Sequence, residues 1–237
     1  MTLFSSAHNG SPRRRPTRRG HHWPLFASAV IAGLAIAAIV YLLKPTWHAE
    51  KISAPDRTPV SVGGTLFNVP TPAFRVKVQK HSGPQERVDL HFNYPSLQAP
   101  EKPKHVTIDT VEQIGQPIDR IFLSIAEHND ALAPDQRLRT IYPRYLDSRV
   151  IPAADGLTQR AFRDGTPYGN EDLFTASDPE LAARCSRDAA TPGMCLSERR
   201  IDGADLTFRF PRQWLTQWRE VAVAMDRLTL QLHATRN

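Results

Sequence analysis

The chain has 237 residues, with 30 Lys and Arg against 24 Asp and Glu and a formal net charge of +6. In an evenly charged chain that excess would suggest a nucleic-acid partner. Here Arg13, Arg14, Arg15, Arg18 and Arg19 carry it: setting those five aside leaves 25 basic residues against 24 acidic ones, so nucleic acid is excluded as the partner of the main domain.

The arginines precede an uncharged apolar run, Pro24 to Leu43, reading PLFASAVIAGLAIAAIVYLL. About 20 helical residues span roughly 30 Å, the thickness of a bilayer's hydrocarbon core. A cleaved signal peptide has a shorter apolar region, about 7–15 residues, closed by small residues. The exit here is Tyr-Leu-Leu-Lys-Pro-Thr-Trp, which reads as a signal anchor that stays in place. The basic tail, residues 1–23, is expected in the cytoplasm and the rest in the periplasm, with Trp23, Tyr41 and Trp47 at the interfaces. Ala29, Gly33 and Ala37 recur every four residues and form a small-residue ridge along which the helix could pack against a second copy or another span.

Residues 44–59 contain Pro45, Pro55 and Pro59 without periodicity and read as a tether, leaving 60–237 for one exported domain. Val62-Gly63-Gly64-Thr65 is a turn. Phe74–Lys80 and Arg87–Tyr94 alternate apolar and polar residues around a Gly-Pro turn and predict a hairpin; Ile118–Ala126 predicts a buried strand. Leu157–Thr175 has a turn-rich centre between two strand-like ends. Cys195–Ile201 and Asp205–Phe210 flank the tight-turn pair Asp202-Gly203. Leu138 to Leu146 has helical spacing broken by Pro143. A final helix opening at Pro211 places Trp214, Trp218, Val221, Met225 and Leu228 on one core-facing stripe. The expected fold class is α+β: one N-terminal transmembrane helix, then a mostly antiparallel, β-rich exported domain with a C-terminal amphipathic helix.

Cys185 and Cys195 are the only cysteines. In an oxidising compartment such a pair reads as a disulfide closing a small loop, worth about 2–3 kcal/mol. No nucleophile elbow, zinc-binding helix motif, phosphate loop or dinucleotide fingerprint is present, and the histidines, His91 among them, lack metal-ligand spacing. No cofactor, metal or catalytic residue is therefore assigned. The richest polar cluster is RAFRDGTPYGNEDLF, where Arg160, Arg163, Tyr168, Glu171 and Asp172 surround a hairpin and form the candidate binding loop.

The basic tail and single span, followed by GTLFNVP, RTIYPRYLD, GTPYGNEDLF, the Arg-Cys…Cys pair and DLTFRFPRQWLTQW, resemble a family of single-pass envelope proteins of Gram-negative bacteria that has no assigned activity. The resemblance implies an inner-membrane placement. The function expected is a periplasmic binding or scaffold protein, possible subunit of an envelope complex, contacting the lipid bilayer through residues 24–43 and a protein partner or its own copy. An envelope hydrolase using the carboxylates of the hairpin is the alternative.

Overall fold

The computed structural model describes residues 23–43, 56–101 and 118–233. The chain divides into two compact units, Met1–Ile52 and Ser53–Asn237.

In the first unit a helix, α1, runs from Trp23 to Leu43. Its side chains are described over residues 27–39, and all of these are exposed. Among the described residues no helix is long and apolar enough to cross a membrane. The expected fold class is corrected on this point and on its balance: the protein is mostly β-sheet with a C-terminal helix, not an α+β domain behind a transmembrane helix.

The second unit begins with β1 (Arg57–Val62) and β2 (Thr65–Pro70), antiparallel and joined by Gly63-Gly64. Both glycines have positive φ, +55° and +79°, as a two-residue hairpin whose twist matches its strands requires. β3 (Gly83–Pro84) adds to β1 in parallel. The predicted strand Phe74–Lys80 does not form: Phe74 alone bridges Leu90, and Lys77–Gln79 turn in a 3-10 helix. Its alternation misled because Val78, the residue that should have been buried, is 78% exposed.

Eight strands build the main sheet: β4 (Arg87–Asn93), β5 (Arg120–Glu127), β6 (Ile151–Pro152), β7 (Thr158–Ala161), β8 (Glu171–Ser177), β9 (Glu180–Ser186), β10 (Met194–Ile201) and β11 (Ala204–Pro211). Their order is β4-β5-β11-β10-β9-β8-β7-β6, antiparallel throughout. The chain lays β4 and β5 side by side, builds the opposite edge, and returns through β11 to close the gap.

Strict alternation gives the sheet two faces. The inner face carries Val88, Leu90, Ile121, Leu123, Leu206 and Phe208, all buried. Against it packs α3 (Trp218–Leu232), entered through Pro211 and a 3-10 turn at Arg212–Gln217. The predicted stripe Trp214, Trp218, Val221, Met225 and Leu228 is buried throughout. Each such side chain contributes about 1.5–3 kcal/mol. The Trp218 indole donates its N–H to the Ala154 carbonyl at 3.1 Å, so even its polar edge is satisfied. The inner faces of β1 and β2, with Val60, Val62, Phe67 and Val69, join the same core. Where the β1–β2 turn meets the β10–β11 turn, Gly63 and Gly203 are so close that a Cβ on Gly203 would sit 1.9 Å from the Gly63 carbonyl oxygen. On the outer face a short helix, α2 (Pro134–Thr140), covers the β8–β10 side, ending where Pro143 enters a 3-10 turn at Tyr142–Arg144.

Candidate partner-binding face

Neighbouring strand positions point to opposite faces, and this separates the two carboxylates of the predicted binding loop. Asp172 is turned to the inner side and is 3% exposed. Its carboxylate accepts hydrogen bonds from Arg212 at 2.6 Å, Arg187 at 3.0 Å and Gln159 at 3.0 Å. Glu171 lies in the other direction, where Arg184 approaches it at 3.1 Å. They do not form a carboxylate pair of the kind that shares acid and base work. Arg160 and Arg163 hold the loops beside the sheet, donating to the carbonyls of Asp147, at 2.7 Å, and of Arg144. Of the five predicted residues, the structure brings Tyr168 and Glu171 together around Arg184 and assigns the other three to anchoring.

Tyr168 sits in an aromatic nest with Tyr142, Tyr145 and Phe162, at centroid separations of 5.0–5.8 Å, mostly edge to face. The Arg184 guanidinium lies 4.7 Å from the Tyr168 ring centroid and 5.7 Å from that of Tyr142. Burial, aided by Glu198, raises the Tyr142 phenol above its ordinary pKa against the pull of Arg184 and Arg137, so it stays a neutral hydrogen-bonding group.

Beside this nest the β9–β10 ladder stops short. Cys185, Arg184 and Ala183 pair with Cys195, Leu196 and Ser197, and beyond them the strands part. A recess of about 80 Å³ lies over the parting, lined by Ala182, Leu196, Glu198, Leu173, Tyr142 and Arg184. Next to it, sharing Ala182 and Glu198, lies a depression of about 300 Å³ that reaches Arg200 and Asp226. Arg137 on α2 closes one side through Glu198 at 3.0 Å. The Nε atoms of Arg137 and Arg184 are buried without a hydrogen-bond partner among the described residues. The inner recess admits a side-chain tip or a water, whereas pockets for small-molecule substrates enclose about 300–1,000 Å³. Among the described residues no three His, Cys, Asp or Glu side chains gather as a metal cage.

The register shows a feature that no short stretch of sequence displays. His91, Phe122, Arg209, Leu196, Arg184 and Leu173 form one row across β4, β5, β11, β10, β9 and β8 on the outer face. Arg160 continues it on β7. Half of the row, Arg184 onward, lies under the aromatic nest. The other half has no element over it among the described residues, with His91 and Phe122 half-buried and Arg209 exposed. Burial lowers the His91 pKa, and the charges of Arg120, Arg75 and Lys80 lower it further. The disulfide Cys185–Cys195 clamps β9 to β10 one position along, as expected. The predicted ridge residues Ala29, Gly33 and Ala37 lie on α1 and are exposed, with no described atom within 4 Å of where a Gly33 Cβ would stand.

No family model and no curated protein matches the sequence. Among solved structures the chain is similar to an immunity protein of the Stenotrophomonas maltophilia type IV secretion system, with a TM-score of 0.50 and 12% identity over 76% of this chain and 94% of that one. It also matches the Neisseria meningitidis iron-regulated outer membrane lipoprotein FrpD, with a TM-score of 0.36 and 8% identity over 74% and 93% of the two chains. At these identities the first likeness establishes a shared fold, and the second carries no argument.

Proposed function

We propose that this chain is a non-catalytic binding protein of the cell envelope that captures a protein partner on the outer face of its main sheet. The observation that carries the reading is that face itself: a cross-strand row of arginine, aromatic and leucine side chains, half of it uncovered among the described residues, on a sheet whose other side closes on α3. Arginine and aromatic residues are the types most enriched where protein partners anchor. The fold shared with an immunity protein suggests the kind of partner: a secreted toxic protein that binding would hold inactive. The Cys185–Cys195 disulfide supports an oxidising compartment outside the cytoplasm. An envelope hydrolase working through the hairpin carboxylates has less support, because Glu171 and Asp172 face opposite sides and Asp172 is locked between two arginines.

The test is capture followed by co-expression. The full-length chain, mildly cross-linked, is used as bait alongside Thr207→Arg, which places a long side chain in the middle of the face between Ser124 and Glu198. A protein captured by the first bait and lost with the second is then expressed alone and together with this chain. Growth arrest relieved by co-expression supports the proposal. Capture indifferent to Thr207→Arg, or a captured protein harmless on its own, refutes it.

A further inference from the structure

We propose that the open half of the cross-strand row, centred on Phe122 and Arg209, is the contact for a carboxylate-rich surface of the protein partner. This deepens the binding reading above and rests on it.

The face holds more cations than it neutralises. The Arg209 side chain is exposed and makes no ion pair or hydrogen bond among the described residues. Arg75 spends its guanidinium on the Phe122 ring, 4.8 Å from the centroid, which leaves its outward N–H groups available. Arg120 has Asp119 at 3.5 Å, a contact between two exposed groups that is worth little in water. At His91 the charges that act are those of Arg120, Arg75 and Lys80, all positive. The nearest carboxylate along β4, Asp89, already accepts hydrogen bonds from Arg87 at 2.8 Å and from the Gln79 amide at 3.4 Å. In the covered half of the same row the pattern reverses, since Arg184 has Glu171 and Arg160 has the Asp147 carbonyl. Within the row, the guanidinium left without any partner among the described residues is therefore that of Arg209, on the open half.

The geometry favours a protein surface as the source of the opposing charge. His91 and Arg209 lie two strands apart on a firm sheet, about 10 Å, with Phe122 between them as an apolar floor. Planar guanidinium groups held at fixed spacing recognise carboxylates in pairs, and an aromatic residue between them supplies area that excludes water. A surface made for anionic lipid would instead present an apolar helix face for insertion beneath its cations.

The probes are a fluorescent twelve-residue peptide alternating Glu and Ser, its Gln–Ser counterpart, and phosphatidylcholine vesicles containing phosphatidylglycerol. Binding to the full-length chain is followed at low and moderate salt. The acidic peptide is expected to bind and to weaken with salt, the neutral peptide not to bind, and Arg75→Glu/Arg209→Glu to weaken the acidic peptide about ten-fold or more. Arg149→Glu, an exposed charge elsewhere, is expected to leave binding unchanged. Arg75→Gln/Arg209→Gln repeats the test with a gentler change, and circular dichroism confirms that each variant is folded. No binding of the acidic peptide, equal binding by the double variants, or vesicle binding that the same variants abolish without any peptide binding each overturns the proposal. A partner that is captured as well by the double variants as by the native chain leaves the binding function standing and removes this site from it.

Discussion

Asp172 offers the sharpest check on the structural reasoning. Its side chain is 4% exposed, and its carboxylate accepts from Arg212 at 2.6 Å, Arg187 at 3.0 Å and Gln159 at 3.0 Å. Asp172→Ala removes the only carboxylate within ion-pair reach of Arg212 among the described residues, whose side chain is 17% exposed and lies 5.0 Å from the Phe174 ring centroid. Breaking a buried pair by deleting one partner costs about 3–5 kcal/mol, because the remaining charge is left uncompensated. Two facts reduce that figure here: the Arg187 side chain is 40% exposed and can rehydrate, and Arg212 keeps its hydrogen bond to the Ser186 carbonyl at 3.0 Å. The expected loss is about 2–4 kcal/mol, or a fall in Tm of about 5–15 °C for a domain of this size. Urea denaturation measures it directly, with an unchanged m-value expected because the native fold persists. Asp172→Asn, which keeps an acceptor of the same shape, should lose less than Asp172→Ala. A loss below about 0.5 kcal/mol for the alanine variant would put this network among ordinary surface ion pairs and refute the reasoning.

Three further outcomes are expected. Gly203→Ala forces its Cβ to within 1.9 Å of the Gly63 carbonyl oxygen, so the two turns must separate; a loss of about 1–3 kcal/mol in urea midpoint measurements is the expected result, and a neutral substitution would show that the turns are not held together. Replacing both Cys185 and Cys195 with alanine should cost about 2–3 kcal/mol, and a reducing agent should lower the melting temperature of the native protein but not that of the double variant. The folded-state pKa of His91 is depressed, chiefly by burial, so the unfolded chain binds its proton first as pH falls. The stability tied to His91 is therefore complete above about pH 6.5 and lost as pH drops through its folded value; His91→Gln should show a smaller stability difference between pH 8 and pH 5, and an identical difference would refute the assignment.

What could be read from the sequence was local. The hairpin at Asp202-Gly203, the broken helix at Pro143 and the apolar stripe from Trp214 to Leu228 each depend on residues within a few positions of one another, and all are present in the structure. The disulfide was legible for the same reason, its cysteines standing ten positions apart. The strand expected at Phe74–Lys80 failed because alternation registers polarity and not contact: after Phe74 bridges Leu90 and the Arg75 N–H reaches the Asp89 carbonyl, Lys77–Gln79 turn in a 3-10 helix, and Val76 and Val78 are left exposed. The polar hairpin was recognised as a cluster, but its division into an inward Asp172 and an outward Glu171 follows from strand direction, which composition does not encode.

The cross-strand row on the outer face was hidden for a stronger reason. His91 and Arg209 become near neighbours only because β11 returns to pair with β5, so their proximity belongs to the strand order and not to any motif. Once that order is known, the sequence makes physical sense at these positions. The inner residues of β4, β5 and β11 are uniformly apolar because α3 covers them, while the outer residues have no comparable element above them among the described residues and are mixed. Solvent alone would be served equally well by small polar residues such as Ser124 and Thr207, which occupy the adjoining row. Phe122 gives up contact with water only in part, and Arg75 and Arg209 place charge beside it without an acidic counterpart among the described residues. Beyond the Arg75–Phe122 contact that combination adds little to the isolated protein, and a complementary surface covering it would gain from both its charge and its apolar area.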